Sequence, residues 1–101
     1  MNERDFPSWR HAYLSLMCDR IQAGDVAVRA RALAVMDLWR EQPDMDRWLL
    51  ETWSRLLDAP VENMRTAVLE NSDSGDRLRH SFPFAGILGN RERMELRRRY
   101  G

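Results

Sequence analysis

Apolar residues recur along this chain at helical spacing, in blocks separated by turn-forming residues. Over residues 6–23 they fall at Trp9, Tyr13, Leu16, Met17 and Ile21, which predicts a first helix. Asp5 is placed to cap it, Pro7 is tolerated in its first turn, and Gly24 stops it. Asp25 opens a second helix, VAVRARALAVMDLWR, which Pro43 ends. Its Ala-rich body lets a neighbouring helix approach closely. Asp44 precedes a third helix, MDRWLLETWSRLLDA, in which Met45, Trp48, Leu49, Trp53, Leu56 and Leu57 make a broad apolar face. Pro60 breaks the chain before a short fourth helix, VENMRTAVLEN, with Val61, Met64 and Val68 on one stripe and Asn71 at its end.

After residue 71 the pattern changes. SDSGD, residues 72–76, is small, polar and turn-prone, and RLRH amounts to one helical turn. SFPFAGIL follows as an apolar run stiffened by Pro83. Asn90 is placed to cap a last helix, RERMELRRRY, closed by Gly101. The expected fold is all-α: a compact bundle of four main helices with an extended apolar strap and a C-terminal helix. One domain is expected, with a four-helix core at 1–71, a loop and strap at 72–90 and a basic helix at 91–101. Burying each strap phenylalanine, Phe82 or Phe84, is worth about 2–3 kcal/mol. The strap is therefore expected to cover a groove, first of its own bundle and second of another copy in an exchanged dimer.

Composition narrows the classes. A chain of 101 residues with 44% hydrophobic residues supports one core. No apolar run reaches the ~18 residues a membrane span needs, and MNERDFP does not read as a secretory leader. Cys18 is the single cysteine, which rules out an internal disulfide and suits a reducing cytoplasm. All 16 basic residues other than histidine are Arg, a bias expected of a GC-rich bacterial or phage genome. Residues 1–76 carry 9 Arg and 14 acids, net −5, whereas 77–101 carry 7 Arg and 2 acids, net +5. Such a split suits either two halves that attract each other or a basic end that seeks phosphate.

Candidate chemistry is sparse. In Arg97-Arg98-Arg99, Glu92 and Glu95 precede the arginines, the order the helix dipole favours, so a solvated helix end explains the run. A DNA-binding helix-turn-helix over residues 50–69 is the alternative reading, but its outer face offers Glu62 and Glu70 against Arg65 alone. His11 and His80 lie in no metal-ligand pattern, so neither metal nor cofactor is expected. Asp76 and His80 are spaced to pair on a helical turn, raising the histidine's pKa. With Arg77 and Arg79 they give a second alternative, a small RNase-like toxin. Trp9, Trp39, Trp48 and Trp53 are too many indoles to bury fully in so small a domain, so at least one stays partly exposed.

The expectation is therefore a non-enzymatic protein-binding or regulatory module, cytoplasmic, recognising another protein or a second copy of itself. Its partner-binding residues are expected at Arg77, Arg79, His80, Phe82 and Phe84, with Arg98, Arg99 and Tyr100 on the rim.

Overall fold

A computed structural model describes residues 6–101. It is all-helical among these residues: α1 (Trp9–Gln22), α2 (Val26–Arg40), α3 (Arg47–Asp58), α4 (Val61–Leu69), α5 (Asp73–His80) and α6 (Asn90–Tyr100). The central helix is α1, which packs on α2, α4, α5 and α6, while α3 bridges α2 and α4. Tyr13, Leu14, Met17 and Cys18 of α1 meet Val28, Ala32 and Met36 of α2, Trp53 and Leu57 of α3, and Met64 and Val68 of α4. That is one continuous apolar cluster, the requirement for a single domain.

Several boundaries differ from the sequence pattern. The cap of α1 is Ser8, whose side chain accepts from the His11 N–H; Asp5 lies outside the described residues. Asp25 caps α2 as expected, and Gly24 before it has φ of +91°, the left-handed turn that glycine adopts without strain. Asp46, not Asp44, caps α3 by accepting from the Trp48 N–H at 2.8 Å. At α6 the cap is Gly89 rather than Asn90, and the Gly89 N–H donates to Glu92 Oε1 at 3.1 Å.

The largest correction concerns residues 72–80. The expected loop is a helix, α5, capped by Ser72, whose hydroxyl accepts from Gly75 N–H. Asp73 and Asp76 stand in its first turn and Arg77, Arg79 and His80 in its last, the charge order the dipole favours. Gly75 reads as a helix breaker, yet the position demands it. A Cβ there would sit 2.1 Å from the Glu70 carbonyl oxygen. α5 thus packs its backbone against the end of α4, and the extended strap shrinks to residues 81–89.

The strap packs on its own bundle. Phe84 is fully buried with its ring edge-on to Trp53, at 5.6 Å between centroids, and Leu88 is buried beside it in the core. Phe82 is half-buried and stacks on Tyr13. An extended peptide buried without a ladder must satisfy its carbonyls elsewhere. Three helices supply the donors: Tyr13 OH of α1 donates to Phe84 O, Arg31 Nε of α2 to Ala85 O at 2.8 Å, and Trp53 Nε1 of α3 to Ser81 O at 2.8 Å. Trp53 is the buried indole; Trp9, Trp39 and Trp48 stay half-buried, as the crowding argument expects.

Cys18 is fully buried, and burial pushes its thiol pKa up to about 11. The thiolate is the reactive form. A disulfide-exchange reagent is accordingly expected to label Cys18 in urea but not in the native protein; fast native labelling would contradict this packing.

Candidate functional site

Burial divides the residues expected to bind a partner. Phe84 is core, and Arg79 is 3% exposed, so neither is available to another molecule. Arg79 Nη1 donates to the carbonyls of Val68 and Glu70, each at 2.8 Å, and Nη2 to Asp76 Oδ1 at 2.5 Å. Its guanidinium satisfies carbonyls at the end of α4 that the helix itself leaves unpaired. Long charged side chains are rarely interior, so nothing in the pattern marked this one.

The others remain nearer the surface but are mostly engaged. Arg77 stacks over Trp48, 4.2 Å from the ring centroid, and pairs with Asp46 at 2.5 Å. That contact, with the Trp48 N–H, holds the Asp46 carboxyl below its usual pKa. His80 points outward with Nδ1 2.8 Å from the Asp76 backbone oxygen, so the anticipated imidazole–carboxylate pair does not form. Arg79 is turned inward, toward the end of α4. The 97–99 run splits three ways: Arg97 lies over Trp9, Arg98 binds Glu95, and Arg99 lies over Tyr100, whose ring meets Phe6. Arg65 donates to Asp19 and Gln22, each at 2.9 Å, and sits against α1 rather than aiming outward from α4.

The other histidine, His11, lies in a hollow of about 430 Å³ lined also by Phe6, Pro7, Leu69, Asn71, Asp76 and Arg79. Burial lowers the His11 pKa, and the Arg79 charge lowers it further. His11 Nδ1 is 2.7 Å from Ser8 Oγ, the atom that caps α1. This pair closes a helix end, and among the described residues no three His, Cys, Asp or Glu side chains converge on a metal position.

The surface without an internal explanation is the outer side of α2. Val28, Ala32 and Met36 turn inward on an i,i+4 line. On the opposite side Ala27, Ala30, Ala34 and Leu38 form a second line, flanked by Val26 and Leu33, and all are exposed. Val26 is 80% exposed, Leu38 62% and Leu33 47%. A helix with apolar residues on opposite sides is normally enclosed, yet among the described residues α2 packs mainly on α1 and α3 and meets the strap through Arg31. The signal was present in VAVRARALAVMDLWR: apolar residues at almost every angle show that the helix has two apolar sides, but not which one the bundle takes.

No protein family, curated protein or solved structure matches the chain.

Proposed function

We propose that this protein is a non-enzymatic protein-binding module that self-associates through the outer side of α2. The supporting observation is the exposed line Ala27, Ala30, Ala34 and Leu38 with Leu33 beside it, on the edge helix of an otherwise closed bundle. Its residues are complementary to themselves. With two copies of α2 antiparallel and Ala34 of each at the two-fold axis, Leu38 faces Ala30 of the other copy. Large thus meets small in both directions.

The 15 residues of α2 span about 22 Å at 1.5 Å per residue. One helix pair of that length covers less than the ~800 Å² per partner of a stable complex. Association is therefore concentration-dependent rather than permanent.

Light scattering across a wide concentration range is expected to show a monomer–dimer transition. Leu33→Asp/Leu38→Asp abolishes it while leaving the far-UV circular dichroism unchanged, since neither residue is buried. A protein that stays monomeric at the highest soluble concentration, or a dimer that survives the double Asp variant, overturns this reading.

A further inference from the structure

Arginines from two helices flank Trp9. The Arg97 guanidinium carbon of α6 lies 4.6 Å from the indole centroid, and that of Arg10 on α1 lies 4.8 Å away. A guanidinium held by its face keeps the N–H fork at its edge free and already oriented for an oxyanion.

These contacts belong to a longer strip. Phe6 meets Tyr100 and Trp9 meets Arg97, so α6 runs antiparallel to α1. Arg93, which donates to Asn90 Oδ1, follows one turn back along α6, and Arg20 lies further along α1, beyond the buried Tyr13. The charges of both Arg93 and Arg20 act on the Tyr13 phenol. From Trp9 to Arg20 the strip is about 16 Å long at 1.5 Å per residue. Among the described residues, no carboxylate lies within ion-pair distance of Arg10, Arg20, Arg93 or Arg97. The two acids of α6 are occupied elsewhere: Glu92 accepts from Gly89 N–H, and Glu95 binds Arg98.

We propose that the α1–α6 strip binds single-stranded nucleic acid, with Arg97, Arg93 and Arg20 contacting successive phosphates and the Trp9–Arg97 stack offering a platform for a base. Cationic side chains alternating with an aromatic ring are the chemistry of single-strand grooves. A duplex encloses its base faces and leaves the stack unused. A run of carboxylates such as polyglutamate would pair with the arginines and leave the stack unused. The strip lies on a different helix pair from the outer side of α2, so the two proposals stand independently.

Fluorescence anisotropy of a labelled oligothymidylate of about 20 nucleotides, titrated with the full chain at low salt, tests this directly. Binding is expected to weaken linearly in log–log form as salt rises. Arg93→Glu/Arg97→Glu, two exposed positions, reduces affinity at least about tenfold and makes the salt slope shallower by roughly 0.7 per lost phosphate contact. Arg47→Glu on distant α3 leaves both unchanged. Trp9→Leu weakens the oligonucleotide without altering the salt slope, the signature of a lost stack rather than a lost charge. No anisotropy change at low salt overturns the proposal, as does equal loss with Arg47→Glu. Tighter capture of a duplex, or of polyglutamate, through the same arginines also overturns it and reassigns the strip to that polyanion.

Discussion

Truncating Phe84 to alanine is expected to destabilise the protein by about 3–5 kcal/mol, the usual cost of emptying a fully buried aromatic position. At roughly 4–8 °C per kcal/mol for a domain of this size, the melting midpoint falls by more than about 12 °C. The ring has no solvent-facing alternative, because its own carbonyl is fixed by Tyr13 and its edge contacts Trp53. Phe82→Ala, at a half-buried ring, costs less. Thermal and urea unfolding of both variants provide the check. Equal, small losses would mean that the strap merely rests on the bundle.

Arg79→Leu is expected to cost about 1–3 kcal/mol, although a leucine is cheaper to bury than a guanidinium. The substitution removes the donor from the buried carbonyl of Val68, and a buried acceptor left unpaired costs about that much, whereas Glu70 O keeps the Ser72 N–H. Arg79→Lys keeps the charge but loses the planar fork and recovers only part of the loss. Gly75→Ala probes the same corner from the backbone side and is expected to be at least as damaging. Its methyl would overlap Glu70 O, a backbone atom that cannot rotate away. Chemical denaturation of the three variants separates these effects. Arg79→Leu with wild-type stability would show that water replaces the guanidinium at the end of α4.

The same corner shows where the sequence stops being legible. Helices α1 to α4 follow from apolar spacing and from breaks at Gly24, Pro43 and Pro60, because each buries a continuous stripe. α5 does not. Its serine, aspartates and glycine read locally as a turn, and only contact with α4 makes Gly75 useful and Arg79 an interior residue. Tertiary contacts override local preference there, and no spacing rule within one segment records them. The strap was legible in kind: two phenylalanines and a proline require cover. Which phenylalanine enters the core was not, since residues two apart in an extended peptide share a side and spacing alone does not rank Phe82 against Phe84. The outer side of α2 was hidden for the opposite reason, an excess of apolar positions. For the arginines at the C-terminal end, the dipole argument accounts for Arg98 with Glu95 but not for Arg97, which reaches across to another helix.

The donors that secure the strap lie 71, 54 and 28 residues from the carbonyls they bind. Such distant closures are slow to form, because a long loop must be ordered before any contact rewards it. On the ribosome, the first four helices emerge well before the peptide that fills the slot beside Trp53. Until residues past Phe84 have left the exit tunnel, the nascent chain exposes that vacancy to chaperones and to neighbouring nascent chains.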